Sequence, residues 1–139
     1  MIVAMPAQHP ISDRGKVHWT ELSNEQFLIP QRGPGPEFER LLAAKLHCLD
    51  SHHILHQEVS LDRLLSLVGT GYGVLLVLEG ATGARYDNVI YREVHDDDGP
   101  TRLNFMAYWR QANNNPTLGP FLDMLRERYP DFSAEPVHG

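Results

Sequence analysis

Four histidines that lie close together in the sequence could bind a metal ion: His47, His52, His53 and His56. Imidazole is a common ligand for zinc and copper. His53 and His56, however, flank an apolar run that predicts a strand, and successive side chains of a strand point to opposite faces. The four rings therefore cannot converge on one ion. We expect solvated loop histidines and no metal site.

Two other patterns suggest ion or phosphate binding, and their context argues against both. The three aspartates at residues 96–98 lack the ligand spacing and the later glutamate of a calcium loop, so we expect a solvated turn. The glycines at residues 69–73 resemble a phosphate loop. They follow a predicted helix and precede a predicted strand, however, which is the reverse of the order in a dinucleotide-binding unit. No serine lies in a nucleophile elbow and no Cys–His pair has activating neighbours, so the sequence predicts neither an enzyme nor a cofactor.

The remaining chemistry is the binding of an anion by helix N-termini. Predicted helices begin near Pro36 and Leu61, each directly after a predicted strand. At the carboxyl edge of an open parallel sheet such N-termini line a crevice, where their free N–H groups and partial positive charge favour a carboxylate or phosphate. Gln31 and Arg32 would lie on one rim of this crevice and Ser60 on the other. The alternative is that these segments are ordinary caps and turns, and the residues alone do not decide between the two.

Alternating strands and helices position these residues. Apolar runs predict strands at residues 2–5, 26–29, 54–59, 73–78, 89–94 and 103–109. Residues 7–17 predict a loop. Apolar residues at helical spacing predict helices at residues 37–47 and 61–68, the second with Ser60 as its N-cap. The continuous apolar run at residues 73–78 is typical of a strand buried on both faces of a parallel sheet. We therefore predict an α/β fold, a single Rossmann-like lobe with a mostly parallel sheet flanked by helices.

Composition narrows the class of protein further. The 139 residues, 42% hydrophobic and 22% charged, are enough for one compact core, and no apolar run reaches the length of about 18 residues that a membrane span requires. Residues 1–6 are too short for a secretory signal, and the single cysteine, Cys48, cannot form an internal disulfide. We therefore expect a cytoplasmic protein that does not contact the membrane. The net charge of -6, with basic residues scattered along the chain, opposes direct DNA binding.

Several segments resemble the effector-binding domain of LysR-type transcriptional regulators, and they occur in the family's order. Ala-Met-Pro-Ala-Gln-His-Pro at residues 4–10 resembles the crossing from the first lobe to the second. Leu-Leu-Ser-Leu-Val and Gly-Tyr-Gly-Val, within residues 59–78, resemble the family's helix, turn and strand. Ala-Tyr-Trp-Arg at residues 107–110 and the segment that follows are similar to the closing strand and final helix. The resemblance extends from about residue 3 to residue 129.

The resemblance implies a fold of the type 2 periplasmic-binding-protein kind, in which an effector lies between two α/β lobes. Residues 1–110 would be the second lobe, and residues 111–139 a helix and tail that return to the first lobe. Carried over by position, the effector contacts would be Gln31, Arg32, Val59, Ser60 and Tyr72. We expect a sensor fragment for a small organic anion, with neither the DNA-binding domain nor the first lobe. The alternative is a stand-alone small-molecule-binding or assembly module descended from such a regulator.

A last apolar stripe predicts a C-terminal helix: Leu118, Phe121, Leu122 and Leu125. Pro120 would clash inside a helix that began a full turn earlier, so we expect the helix to begin near Pro120. Gly119 or Thr117 would cap it, and it would end at about Tyr129. Because in the family this helix packs on the first lobe, we expect its apolar face to join a second copy here and form a homodimer.

Overall fold

The fold is described from a computed structural model, which covers residues 1–46, 53–105, 107–110, 112–130 and 132. His47, Cys48 and His52 lie outside the described residues. The chain divides into two compact units, Met1–Leu103 and Asn104–Gly139. The domain boundary that we predict after residue 110 stays a prediction.

Among the described residues of the first unit, seven short strands form two sheets. The larger sheet has the order β2-β6-β1-β5 with β7 beside β6, and the smaller sheet pairs β3 with β4. β1 is apolar along its whole length and its three central residues are buried, which is why it occupies the middle of the sheet. The strands are β1 (Ile2–Pro6), β2 (Lys16–His18), β3 (Phe27–Pro30), β4 (Ile54–Gln57), β5 (Leu75–Val77), β6 (Val89–Asp96) and β7 (Gly99–Pro100).

β1 runs against both of its neighbours. It pairs antiparallel with β5 and with β6, whereas β2 is parallel to β6 and β3 is parallel to β4. A parallel bridge between Phe27 and Val74 joins β3 to the segment that leads into β5. Thus β2, β3, β4, β5 and β6 share one direction, whereas β1 and β7 have the other. The sheet is mixed, so the prediction of a mostly parallel sheet is not confirmed; a continuous apolar run reports burial on both faces and carries no information on strand direction.

Two helices lie on opposite faces of these strands. Helix α1 (Gly35–Lys45) buries Phe38 and Leu42 in a cluster with Val3 and Met5 of β1. Helix α2 (Leu61–Gly69) packs on the other face, where Ala4 of β1 points. Because successive side chains of a strand alternate in direction, one apolar strand supplies both faces. The structure confirms the α/β layering, and no helix of the described residues is long and apolar enough to cross a membrane.

Gly35 allows α1 to begin against the end of β3. A Cβ atom on Gly35 would lie 1.8 Å from the carbonyl oxygen of Pro30, much closer than any side chain tolerates. Pro36 follows in the first turn of the helix, where its missing N–H group has no partner to lose. The sequence Pro-Gly-Pro therefore fixes a tight turn between β3 and α1, at one wall of the cleft described below.

The predicted strand at residues 103–109 is wrong, because its described residues form no strand. In the described part of the structure, this apolar segment has no neighbouring strand with which to pair. The side chain of Phe105 is 78% exposed. Conversely, residues 7–17, which are predicted to form a loop, contain the start of β2. A strand of three residues carries almost no periodic signal of its own, and β2 exists through its pairing with β6.

The second unit contains one helix, α3 (Leu118–Arg128), among its described residues. The helix begins two residues before Pro120, with Thr117 as its N-cap, and its C-cap is Tyr129. Pro120 therefore falls in the first turn, where its missing N–H group costs nothing. The expected helix is confirmed, with an earlier start than predicted.

Candidate functional site

A cleft of about 420 Å³ opens at the carboxyl ends of β3 and β4. Each strand leads from there into a helix, β3 into α1 and β4 into α2. The backbone N–H of Gln31 donates to the carbonyl of Gln57 over 3.0 Å and holds the two strand ends side by side. The cleft is lined by Pro30, Arg32, Gln57, Glu58, Val59 and Ser60.

An ion pair crosses this cleft. One guanidinium nitrogen of Arg32 lies 2.6 Å from a carboxylate oxygen of Glu58. The two side chains are 85% and 60% exposed, and an ion pair this open to water stabilises a fold by only about 0–1 kcal/mol. A ligand can therefore separate the two groups at little cost.

Ser60 is the N-cap of α2, with extended backbone, and its carbonyl accepts the N–H of Leu64 over 3.0 Å. The pKa of Asp62 is lowered, chiefly by the hydrogen bond from the Ser60 side chain and next by the N–H of Asp62 itself. The carboxylate of Asp62 thus already interacts with the positive potential at the N-terminus of α2.

Apolar surface lies beside these charges. The side chains of Val59 and Leu61 are both exposed, although each is large and apolar. They flank Ser60 at the point where β4 gives way to α2. The cleft therefore offers an apolar contact area next to an arginine, a glutamate and a hydroxyl group, which suits a small organic ion more than an inorganic one.

The structure brings together three of the five site residues expected from sequence. Arg32, Val59 and Ser60 line the cleft, and Gln31 reaches it through its backbone while its side chain is exposed. Tyr72 is not brought to the cleft. It follows the far end of α2, and a helix of nine residues separates the two ends by about 13 Å.

Two polar residues of the cleft, Gln57 and Glu58, are not among those predicted. Glu58 meets Arg32 because Pro30 and Gln57 are opposite each other in the parallel pair β3–β4. The signal that could have found Glu58 is this register, since the residues that follow two paired parallel strands emerge at the same edge.

Described residues of both metal-binding patterns have other contacts. Among the described residues, no group of three or more His, Cys, Asp or Glu side chains could hold a metal ion. The ring of His56 instead contacts a carboxylate oxygen of Glu39 over 3.1 Å. Asp96, the first of the three consecutive aspartates, accepts a hydrogen bond from Lys45 and another from Thr101.

Comparison with known sequences identifies the family to which the chain belongs. The sequence model of the LysR substrate binding domain matches residues 1–130, and the chain therefore belongs to this family. The family's domains are α/β units of the periplasmic-binding-protein kind that occur in transcriptional regulators, and the match confirms the resemblance seen in the sequence. No curated protein sequence matches the chain.

Solved structures of two LysR-type regulators are similar to the chain. The effector-binding domain of BenM with its effector benzoate is 27% identical, with a TM-score of 0.56 over 71% of this chain and 46% of that one. A full-length BenM variant is 22% identical, with a TM-score of 0.69 over 97% of this chain and 46% of that one. The reduced OxyR regulatory domain from Pseudomonas aeruginosa is 21% identical, with a TM-score of 0.53 over 69% and 46%. The chain thus spans about half the length of these proteins.

Proposed function

We propose that the chain is the small-molecule-sensing lobe of a LysR-type transcriptional regulator, and that the cleft at the ends of β3 and β4 forms one wall of its effector site. The observation that carries this proposal is that Arg32 and Ser60 line one cleft together with the exposed side chain of Val59. Family membership supports it, as does the similarity to a BenM domain that was solved with benzoate. The chain covers 46% of that BenM domain, and we propose that the opposite wall is formed by a part that the chain does not span.

The proposed ligand is a small organic ion with a carboxylate. The ligand carboxylate displaces Glu58 from the guanidinium of Arg32. The guanidinium can donate to both oxygens of a carboxylate at once. The apolar part of the ligand then covers Val59 and Leu61. This is binding without a catalytic step or a cofactor, and the chain acts as a sensor and not as an enzyme.

The net charge of the chain bears on which partners it can bind. A net charge of -6 opposes the polyanionic backbone of DNA, so we propose that this chain does not bind DNA directly. Residues 1–110 would act as the second lobe, and residues 111–139 would carry the contact with a second copy in a cytoplasmic homodimer. A gel-shift titration with duplex DNA at physiological salt should show no complex below micromolar concentration, and a sub-micromolar complex would contradict this part of the proposal.

Chemical-shift mapping tests the effector site. The 139-residue chain, labelled with ¹⁵N, is titrated with aromatic and aliphatic carboxylates to millimolar concentration. We expect the amide signals of Arg32, Val59 and Ser60 to move, and Arg32→Ala to weaken the binding by about tenfold, as expected for the loss of one charge-assisted contact. Arg40→Ala is the matched control, because Arg40 is also an exposed arginine paired with a glutamate but lies on α1 outside the cleft. The proposal fails if no signal near Arg32 or Ser60 moves.

A further inference from the structure

The charges of the cleft come as a pair of opposite sign. Among the described residues that line it, Arg32 supplies the one positive side chain and Glu58 the one negative side chain. The contact between them joins a single guanidinium nitrogen to a single carboxylate oxygen. A ligand that carries only a carboxylate can bind Arg32, but it then lies beside Glu58, a group of its own sign that has lost its partner.

A ligand with both charges avoids this conflict. We propose that the effector is a zwitterion of the α-amino acid type, whose carboxylate binds Arg32 and whose ammonium group binds Glu58. The inference rests on the proposed function of the same cleft. In an α-amino acid the two charged groups are attached to one carbon atom, so they can meet two side chains that already touch each other. Positive and negative groups then alternate around one ring of contacts: Arg32, the ligand carboxylate, the ligand ammonium and Glu58.

The surroundings of the pair favour an added positive charge. Asp62 lies in the first turn of α2, two positions after the cleft residue Ser60, and takes a hydrogen bond from the Ser60 side chain. Glu58 lines the cleft and Asp62 lies in the first turn of the helix that begins there. The ammonium group of a zwitterion offsets the repulsion that a bare anion meets from these carboxylates.

The exposed apolar side chains define the third part of the ligand. Val59 separates Glu58 from Ser60 in sequence, and Leu61 follows directly; both are exposed in the structure. An apolar side chain on the α-carbon of the ligand covers them while the charged groups bind Arg32 and Glu58. The class of ligand is therefore an α-amino acid with an apolar or aromatic side chain.

Paired ligands that differ by one ammonium group test the inference. Phenylalanine is compared with 3-phenylpropanoate, and leucine with 4-methylpentanoate, by titration of the ¹⁵N-labelled 139-residue chain. We expect the amino acid of each pair to bind about tenfold more tightly, the ratio that one charge-assisted hydrogen bond gives at an exposed site. Glu58→Gln should abolish this preference. Glu37→Gln should keep it, because Glu37 forms a comparable exposed pair with Arg40 away from the cleft.

The possible results separate the inference from the function on which it rests. If the desamino acid binds to the wild-type chain as tightly as the amino acid, the zwitterion is wrong while the effector site stands. If the preference survives Glu58→Gln with an unchanged spectrum elsewhere, Glu58 is not the ammonium ligand. If no ligand of either pair shifts the signals of Arg32 and Ser60, both proposals fall.

Discussion

The indole N–H of Trp19 donates a 2.8 Å hydrogen bond to the hydroxyl of Thr101, and both residues are buried. The same hydroxyl donates to one carboxylate oxygen of Asp96 over 2.7 Å, and Lys45 donates to the other over 2.7 Å. Four side chains from distant parts of the sequence thus form one continuous network. It ties the last turn of α1 to the ends of β2 and β6.

Replacing the central hydroxyl should destabilise the fold. Thr101→Val keeps the shape of the side chain but leaves the Trp19 N–H buried without its acceptor, which costs about 1–3 kcal/mol. Urea unfolding followed by tryptophan fluorescence measures this loss. Thr101→Ser retains the hydroxyl and should lose clearly less. Equal stability of the Val variant and the wild type would show that Trp19 finds another acceptor.

Acid should weaken the same network. The pKa of Asp96 is lowered, first by the hydrogen bond from Lys45 and then by that from Thr101. A carboxylate whose pKa is lower in the folded chain stabilises the fold above its ordinary pKa of about 3.9, and this contribution is lost as the pH falls through the lowered value. The difference in unfolding free energy between the wild type and Asp96→Asn should therefore shrink below about pH 4. A difference that stays constant from neutral to acid pH would contradict this assignment.

A methyl group at Gly35 should disrupt the turn that bounds the cleft. Its Cβ atom would lie 1.8 Å from the carbonyl oxygen of Pro30, so either α1 or the end of β3 must move. We expect Gly35→Ala to lower the unfolding free energy by at least about 2 kcal/mol. Gly15→Ala is the control, because a Cβ atom there meets nothing within 4 Å. A Gly35→Ala chain as stable as the Gly15→Ala chain would show that the turn can relax.

The C-terminal helix should mediate self-association. Phe121 and Met124 of α3 are about half exposed, and burying the exposed half of each against a second copy would contribute about 1 kcal/mol per side chain. Size-exclusion chromatography with light scattering should show a dimer at tens of micromolar, and a monomer when the chain ends after Arg110 or carries Phe121→Glu. Asp123→Ala changes a charged position of the same helix and should remain dimeric. A full chain that is already monomeric would remove the dimer from the proposal.

The elements that the sequence predicts well are those with a strong local signal. β1 is a continuous apolar run that ends at Pro6, and α2 has its N-cap at Ser60, an apolar stripe, and Gly71 with positive φ after its last turn. β2 lacks such a signal because it depends on β6 as its partner. The direction of β1 has no local signal either, since it is set by connections that lie outside the strand.

The residues of the candidate site also divide into those with a local sequence signal and those without one. Arg32 and Ser60 are predictable because each comes directly after a strand, and the ends of parallel strands share one edge. Glu58 is not, because its contact with Arg32 depends on the register of β3 and β4. Tyr72 belongs to a recognisable motif, but α2 lies between it and the cleft. Membership of a motif does not by itself place a residue at the binding site.

The reversed strand at the centre of the sheet has a consequence for how the chain folds. Ile2 of β1 is opposite both Val77 of β5 and Glu93 of β6, so the central strand finds its neighbours only after most of the first unit has been synthesised. Contacts between such distant parts of a sequence slow folding, because the intervening loop must be closed before any of them forms. During translation β1 therefore lacks its first partner until β5 has left the ribosome, and its second until β6 has followed. In that interval it is an exposed apolar segment that chaperones can bind and that can misfold.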